Sequence, residues 1–252
     1  MITFQDRVAV ITGAAGGIGR ALAHQFMEQK VALAVTDLSE EAVEKLALEL
    51  QQQGAVAKGY AMDVTSTASV NNAASQILSD FSQIDILVNN AGVWKRPNGK
   101  ATPFADTPEE YWKWILEVNL AGVFRTTQAF LKSMIKQQYG RIINLGSIAG
   151  EVGLPGYCDY SAAKGGVIMM TKTLAMEVAK HKITVNCVSP GMVSANDKKT
   201  NPTQGTWIGR TGTRTEIAEL ILFLASDHSA FITGVDYTID GGRILGPRFS
   251  DF

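Results

Sequence analysis

The sequence has little net charge and no long hydrophobic run. Its 252 residues carry 23 lysines and arginines against 24 aspartates and glutamates, a net charge of −1. Nucleic-acid binding draws on a basic surface, so we expect no nucleic-acid partner. The longest apolar run, residues 220–225, is far shorter than the roughly 18–20 residues that span a bilayer. We therefore expect no membrane partner.

Cysteine and histidine are also scarce. The two cysteines, Cys158 and Cys187, could form one bridge at most, which excludes a disulfide framework. The three histidines are scattered along the chain and predict no metal site. The hydrophobic fraction is 46%, which suffices for a substantial core. Residues 1–10 lack a signal-peptide layout, and together these features predict a soluble cytoplasmic globular protein.

Short β-type runs alternate with helical patterns along the whole chain. Several runs are continuously apolar and rich in valine and isoleucine, as expected of strands buried on both faces. The runs are residues 7–12, 31–36, 55–60, 84–88, 141–145, 184–189 and 236–239. This rhythm predicts an α/β fold, a doubly wound parallel sheet of Rossmann type with about seven strands and helices on both faces. No linker interrupts it, so we expect a single domain over residues 1–252.

Several helices have recognisable first residues. Helical patterns begin at Gly17, at Ser39–Glu40 and at Ser66, and Ser39 is suited to start its helix, with acidic residues in the first turn. Thr107 followed by Pro108 predicts an N-cap with proline at the first helical position, which opens a long helix.

A glycine-rich loop follows the first β-type run. Residues 12–19 read Thr-Gly-Ala-Ala-Gly-Gly-Ile-Gly. Glycines allow a sharp turn that brings backbone N–H groups close to a pyrophosphate, and the following helix N-terminus adds positive partial charge. Such a cluster is also typical of a plain tight turn, but its place between the first strand and the first helix favours a dinucleotide loop.

An acidic residue, Asp37, follows the second β-type run, 18 residues beyond Gly19. A carboxylate there can accept hydrogen bonds from a ribose 2′-hydroxyl and would repel a 2′-phosphate. Position 16 is glycine, and no lysine or arginine lies in the loop or directly after Asp37. The sequence therefore predicts NAD rather than NADP. The alternative is a solvated turn at Asp37 and Leu38.

The chain resembles the classical short-chain dehydrogenase/reductase family over nearly its whole length. The family's glycine pattern is matched by Gly13-x-x-x-Gly17-x-Gly19, and its Tyr-x-x-x-Lys motif by Tyr160 and Lys164. The family's other motifs follow in the expected order, as Asp63-Val64, Asn89-Asn90-Ala91-Gly92, Asn119, Ser147 and Pro190-Gly191.

The resemblance implies a cofactor site, a catalytic tetrad and an oligomer. The implied cofactor-binding residues are Gly13, Gly16, Gly17, Ile18, Gly19, Asp37, Leu38, Asp63, Val64, Asn90, Ala91, Gly92, Tyr160, Lys164, Pro190, Gly191 and Val193. The implied catalytic residues are Asn119, Ser147, Tyr160 and Lys164. The implied assembly is a homotetramer with two-fold symmetry.

The chemistry of the tetrad can be argued from the residues as well. A secondary alcohol gives up a proton and a hydride, so a base must meet its oxygen while its carbon faces the nicotinamide. Residues 159–180 have a helical pattern, which puts Tyr160 and Lys164 on one face. The lysine ammonium and the nicotinamide cation favour phenolate, so we expect a lowered pKa for Tyr160. Ser147 would hydrogen-bond the substrate oxygen, and family members use an asparagine such as Asn119 to hold a water in a proton relay.

One position and one segment depart from the family pattern. The family commonly has a cofactor-binding threonine four residues after the glycine that corresponds to Gly191. Here that place is Ala195, and either Ser194 substitutes for the threonine or one cofactor contact is missing. The segment 192–208 is also shorter than the usual substrate lid, which predicts an open pocket or one closed by a neighbouring subunit.

The loop after Gly92 carries an indole and three cations, Trp94, Lys95, Arg96 and Lys100. In a doubly wound sheet this loop would lie near the pocket mouth, at the carboxyl ends of the strands. It could then attract an anionic, sugar-like or ring-shaped substrate. A solvated basic loop is the alternative.

These features predict an NAD-dependent oxidoreductase that interconverts a secondary alcohol (a sugar, polyol or cyclic alcohol) and its ketone. The alternative is a 3-oxoacyl-(acyl carrier protein) reductase. Reductases of that kind generally use NADPH and carry a basic residue near the glycine loop, a feature that the sequence does not show. Relatives that epimerise or dehydrate with NAD retained, and a non-catalytic binding protein on the same fold, are further alternatives.

Overall fold

The protein is a three-layer molecule with one parallel sheet at its centre. A computed structural model describes residues 4, 6–94, 99, 101–195 and 205–246. Seven strands pair in the order β3-β2-β1-β4-β5-β6-β7, and every pairing is parallel. The strands are β1 Val8–Thr12, β2 Ala32–Asp37, β3 Ala57–Ala61, β4 Ile86–Asn89, β5 Gly140–Leu145, β6 Ile183–Pro190 and β7 Asp236–Ile239. The predicted α/β fold and its strand count are confirmed.

Helices connect the strands. They are α1 Gly17–Glu28, α2 Glu40–Gln52, α3 Thr67–Phe81, α4 Glu109–Leu116, α5 Gly122–Gln137, α6 Ala149–Val152, α7 Cys158–Val178 and α8 Arg214–Ala225. In the part of the chain that the structure describes, none of the helices has the length and apolar content needed to cross a membrane.

Successive residues of β1 contact opposite layers of helices. Ala9 and Ile11 belong to the core cluster that includes α1, α2 and α8, whereas Val8 and Val10 belong to the cluster that includes α3, α5 and α7. Because side chains alternate along a strand, a continuously apolar run is buried on both faces. The helices therefore cover both sides of the sheet, as the sequence predicts.

The predicted helix starts at glycine and serine are confirmed. The Ser39 hydroxyl accepts a hydrogen bond from the Ala42 amide at 3.2 Å, and the Ser66 hydroxyl accepts one from the Ser69 amide at 3.3 Å. The helix α1 begins at Gly17, as predicted.

The predicted start of the long helix is wrong by one residue. Pro108, with ψ of 143°, occupies the N-cap position, and α4 begins at Glu109. The Thr107 hydroxyl donates to the Pro103 carbonyl at 2.9 Å and therefore closes the preceding turn instead of capping the helix. The helical region is also interrupted, because a π-helical turn at Glu117–Ala121 separates α4 from α5.

The strand order puts a crevice at one place on the carboxyl edge of the sheet. Strand β1 pairs with β2 on one side and with β4 on the other, so the connections after β1 and β4 leave in opposite directions. In open α/β sheets, ligands bind in the crevice at such a switch point.

Candidate active site

The glycine loop is held against the turn that follows β4. Gly13 has φ of +63°, a conformation that favours glycine. The Asn90 side-chain amide donates to the Thr12 and Gly13 carbonyls at 2.8 and 2.9 Å. The Thr12 hydroxyl in turn accepts from the Asn90 and Ala91 amides at 3.0 and 2.9 Å. These bonds fix the two sides of the crevice relative to each other.

Gly19 has a packing role beneath the loop. A Cβ atom at this position would lie 2.7 Å from the Asn90 amide nitrogen and 2.8 Å from the Ala14 Cα, and it would overlap the Gly13 carbonyl. Gly19 is buried and lines neither of the two cavities described below. Gly19 therefore shapes the loop from beneath and is not part of the groove surface.

Gly16, directly before α1, faces open space at the crevice. Gly16 occupies the N-cap and has no side chain with which to cap the helix. A Cβ atom at Gly16 would meet only the Gly13 carbonyl, at 3.4 Å. An uncapped helix N-terminus with accessible backbone N–H groups suits a phosphate, so the loop fits the pyrophosphate of a dinucleotide.

Asp37 lies at the end of β2, beside the same loop. One carboxylate oxygen accepts from the Ala15 amide at 3.1 Å and the other from the Leu38 amide at 2.8 Å. Leu38 is 72% exposed. The two amides orient the carboxylate at the cavity wall, where it can meet a ribose hydroxyl.

A groove of about 1250 Å³ brings most of the predicted cofactor residues together. The predicted residues on its wall are Gly13, Gly16, Gly17, Ile18, Asp37, Leu38, Asp63, Val64, Asn90, Ala91, Gly92 and Val193. Asp63 is held by Thr65, whose amide and hydroxyl donate to its carboxylate at 2.8 and 2.7 Å. The backbone N–H groups and carboxylates on its wall fit the polar groups of a nicotinamide dinucleotide.

A second cavity, of about 930 Å³, contains the predicted catalytic side chains. The predicted residues that line it and are absent from the groove are Asn119, Ser147, Tyr160, Lys164, Pro190 and Gly191. Ile18, Asn90, Gly92, Val93, Trp94 and Val193 line both spaces. The groove and the cavity therefore adjoin at the switch point of the sheet.

Tyr160 and Lys164 lie on one face of α7, as predicted from their spacing. The Lys164 ammonium lies 5.8 Å from the centroid of the Tyr160 ring and donates to the Leu145 carbonyl at 2.7 Å. Ser147 follows β5, and its hydroxyl accepts from the Ala149 amide at 3.1 Å. A substrate oxygen between Ser147 and Tyr160 would meet two hydroxyl groups.

The titration of Tyr160 differs from the sequence prediction. Burial raises the pKa of the Tyr160 phenol above its usual value, and the hydrogen bond with Ser147 opposes this only in part. Burial also lowers the pKa of Lys164 to about 8. The prediction of a lowered pKa considered the charges of the lysine and the nicotinamide and left out desolvation, which is the largest cause in the protein alone. The protein's own groups therefore favour the neutral phenol, a proton donor.

Asn119 lies in the π-helical turn and is fully buried. Its side chain donates to the Val93 carbonyl at 2.8 Å and to the Ile115 carbonyl at 3.0 Å, and it accepts from the Val93 amide at 3.1 Å. A Cβ atom at Gly92 would lie 2.8 Å from the Asn119 side-chain oxygen and 3.6 Å from the Lys164 nitrogen. Asn119 therefore fixes the chain beside the catalytic cavity. π-helical turns are frequent at functional sites.

Arg214 is a site residue that sequence reasoning missed. It is the first residue of α8 and lines the groove with the glycine loop. A Cβ atom at Gly17 would lie 2.7 Å from the Arg214 Nε atom. The loop itself contains no basic residue, as the sequence shows, but the fold brings the Arg214 side chain next to it. The residue comes from the far end of the chain, and no local signal marks it.

Three tryptophans line the groove as well, namely Trp94, Trp112 and Trp114. Trp112 and Trp114 are 36% and 38% exposed, so the single chain does not bury them in its core. The Trp94 ring lies 6.1 Å from the Tyr157 ring, centroid to centroid. Trp94 therefore borders both spaces, whereas Trp112 and Trp114 border the groove alone.

Other predictions for this edge of the sheet have mixed outcomes. Cys187 is fully buried in β6, whereas Cys158 is exposed and lines neither cavity. The predicted cation cluster at Lys95, Arg96 and Lys100 lies outside the described residues, and so does most of the predicted lid. Within the described ranges, no group of three or more His, Cys, Asp or Glu residues is arranged to hold a metal ion.

Comparison with known proteins identifies the family. The sequence model for "short chain dehydrogenase" matches residues 7–205. The chain belongs to the short-chain dehydrogenase family. Family relatives include a 3-oxoacyl-[acyl-carrier-protein] reductase of Haemophilus influenzae, 38% identical over 96% of this chain and 99% of the relative. The family's nodulation protein G of Rhizobium meliloti is 39% identical over 97% of this chain and all of the relative.

A solved structure supports the same conclusion. The crystal structure of gox2181 has a TM-score of 0.89 to this chain at 30% identity, and covers 97% of this chain and 98% of that one. The chain is therefore an oxidoreductase of the short-chain dehydrogenase family, a family that binds a nicotinamide cofactor and acts on CH–OH or C=O groups.

Proposed function

We propose that this protein interconverts a ketone and a secondary alcohol with NAD(H), and that Tyr160 is the proton donor and acceptor. The observation that carries the proposal is the adjacency of the two spaces. The glycine loop and Asp37 line one, Ser147, Tyr160 and Lys164 line the other, and Ile18 and five further residues line both.

The side chains of the cavity divide the work of reduction. Bound in the groove, the reduced nicotinamide supplies the hydride. The Ser147 and Tyr160 hydroxyls hydrogen-bond the ketone oxygen and stabilise the negative charge that develops there. Tyr160 then gives its proton to that oxygen. The Lys164 ammonium, whose pKa is lowered to about 8, stabilises the resulting phenolate and passes on a proton. Oxidation of the alcohol runs through the same positions in reverse.

The proposal of NAD(H) as the cofactor rests on Asp37. Its carboxylate, held by the Ala15 and Leu38 amides, would accept hydrogen bonds from a ribose diol and repel a 2′-phosphate. Position 16 is glycine, and the loop, residues 12–19, contains no lysine or arginine that would attract a 2′-phosphate.

For the substrate, we propose 3-oxoacyl thioesters first. Relatives from Haemophilus influenzae and Thermotoga maritima, 38% and 36% identical, are named 3-oxoacyl-[acyl-carrier-protein] reductases. Sugars, polyols and cyclic alcohols are the second candidate class. The indole of Trp94, which lines both spaces, favours that class, because a flat ring presents a large apolar face to a ring-shaped substrate.

A turnover assay separates the two classes. The purified protein would be given NADH with a short 3-oxoacyl thioester, and NAD with cyclohexanol or a hexitol, while the absorbance of the reduced nicotinamide is followed. We expect consumption of NADH with the thioester. Turnover of the alcohols alone would favour the second class. The absence of net nicotinamide turnover with any of these substrates would contradict the proposed reaction.

We also propose that the protein is a homotetramer. Phe124 on α5 and Met169 and Met176 on α7 are 45%, 60% and 76% exposed in the single chain. Exposed apolar side chains on neighbouring helices are typical of an interface between subunits. Light scattering on the eluted protein should give the mass of four chains, and a monomer would contradict the proposal.

A further inference from the structure

Arg214 lies where the groove meets the first turn of α1. Its guanidinium faces Gly17, and a Cβ atom there would lie 2.7 Å from Nε and 2.9 Å from Cζ. Gly17 is the first residue of α1, directly after the N-cap at Gly16. The positive side chain and the positive end of the helix dipole are therefore next to each other, on the wall of the same groove.

The same guanidinium also reaches the segment after β6. Its Nη2 atom donates a hydrogen bond to the Ala195 carbonyl. Ala195 occupies the place where the sequence pattern of the family leads one to expect a cofactor-binding threonine. Arg214 thus contacts both Gly17 and Ala195, a residue that lacks the hydroxyl group of that threonine.

The cap of α8 does not depend on the Arg214 side chain. The Thr213 hydroxyl accepts from the Glu216 amide at 3.2 Å, and the Glu216 carboxylate accepts from the Thr213 amide at 2.8 Å. Glu216 is paired with Arg210, at 2.6 and 3.0 Å. Arg210 and Glu216 thus form their own pair, and Thr213 supplies the cap.

We infer that Arg214 binds the pyrophosphate of the dinucleotide, and that it does so in place of the hydroxyl that Ala195 does not supply. This inference rests on the proposed function, because it assigns a ligand to the groove of the proposed oxidoreductase. A guanidinium donates several N–H groups in one plane and suits the oxygens of a phosphate. Backbone N–H groups of α1 would meet the same phosphate from the other side.

The position of Arg214 favours the pyrophosphate over a ribose 2′-phosphate. In the proposed function the carboxylate of Asp37, which accepts from the Ala15 amide, faces the ribose. Arg214 faces Gly17, at the helix N-terminus that suits a phosphate. A 2′-phosphate would have to lie beside the Asp37 carboxylate, and like charges repel there.

The test is the binding of ADP-ribose and of 2′-phospho-ADP-ribose, measured by calorimetry on wild type and on Arg214→Gln. Both ligands contain the pyrophosphate, and neither contains the nicotinamide. We expect Arg214→Gln to weaken ADP-ribose binding by about tenfold, the usual scale for a charge-assisted hydrogen bond. If wild type binds 2′-phospho-ADP-ribose, we expect Arg214→Gln to weaken that binding by the same factor.

Two further variants separate a direct contact from a general effect of charge. Arg214→Lys keeps the charge and should recover part of the affinity. Arg20→Gln removes a neighbouring cation of α1 whose side chain is paired with Glu49 and does not line the groove. It should change the affinity less than twofold. Melting temperatures of all three variants would show whether they are folded. If Arg214→Gln does not fold, the affinity of Arg214→Lys for ADP-ribose is compared with that of wild type instead.

Three results would overturn the inference. One is unchanged ADP-ribose affinity in Arg214→Gln. Another is a loss confined to the 2′-phosphorylated ligand, which would assign Arg214 to a 2′-phosphate. The third is an equal loss in Arg20→Gln. Failure of wild type to bind any of NADH, NADPH and ADP-ribose would instead contradict the proposed function, so the two failures are distinguishable.

Discussion

The groove and the catalytic cavity adjoin, but they are built from different parts of the polypeptide. Around the glycine loop the wall is mostly backbone, with Gly13, Gly16 and Gly17 at the surface and Gly19 packed beneath them. The catalytic cavity is defined by side chains, of which Tyr160 and Lys164 come from one helix. A backbone site depends on the absence of Cβ atoms, whereas a side-chain site depends on particular functional groups. The two should therefore respond differently to small substitutions.

The largest effect that we expect in the catalytic cavity comes from Tyr160→Phe. It removes only the hydroxyl that handles the proton, so turnover should fall about 10²–10⁴-fold. The affinity for NADH, measured by calorimetry, should change by less than about threefold, since the glycine loop is untouched. Retention of full turnover would contradict the proposed role of Tyr160.

The matching change in the groove is Gly19→Ala. The added Cβ atom would lie 2.7–2.8 Å from Asn90 and Ala14 and would overlap the Gly13 carbonyl. We expect the free energy of unfolding to fall by about 1–3 kcal/mol and NADH binding to weaken with it. Chemical denaturation and calorimetry would measure both.

Gly16→Ala is the control for that change. The φ of Gly16 is −78°, and an added Cβ atom would meet only the Gly13 carbonyl, at 3.4 Å. Stability should therefore change by less than about 0.5 kcal/mol. Equal losses in Gly16→Ala and Gly19→Ala would contradict the view that close packing beneath the loop is what matters.

Asp37→Asn tests the one charged side chain that we assign to cofactor choice in the groove. It keeps the size of the side chain and removes the charge that would repel a 2′-phosphate. We expect NADPH binding to strengthen relative to NADH binding, so that the dissociation constant of NADPH divided by that of NADH falls by about tenfold. This is the scale of one charge-assisted contact. Titration with both dinucleotides measures this ratio. An unchanged ratio would mean that Asp37 does not select the cofactor.

An effect of about the same size is the pH dependence that Lys164 sets. Its pKa is lowered to about 8, so the ammonium form is lost as the pH rises through that value. In the direction of ketone reduction the ammonium passes on a proton, so kcat should fall by about tenfold between about pH 7 and pH 9. Alcohol oxidation should rise over the same range. A profile for reduction that stays flat until about pH 10, the usual range of lysine, would contradict the assignment.

The backbone part of the site was largely predictable from the sequence, because its signals are local. Glycines between an apolar run and a helix predict the loop, and the alternation of strands and helices predicts the sheet that holds it. Asp37 is the last residue of its strand, so its position at the carboxyl edge needed no knowledge of the tertiary structure.

The rest depends on contacts between distant parts of the chain. Arg214 reaches Gly17 from the other end of the sequence, and no spacing rule connects them. The direction of the Tyr160 pKa depends on how deeply the phenol is buried, which the spacing of Tyr160 and Lys164 does not determine. The π-helical turn at Asn119 was also missed. The Asn119 side chain bonds the Ile115 carbonyl within the helix and Val93 outside it, and the second of these contacts is not local.

The most direct test of the account is a titration of wild type with NADH and with NADPH, followed by addition of a short 3-oxoacyl thioester to the loaded protein. If the groove and the cavity form one NAD-dependent site, NADH binds more tightly than NADPH and is oxidised when the thioester is added. Tighter binding of NADPH would contradict the role of Asp37. If neither dinucleotide binds, the central claim is wrong.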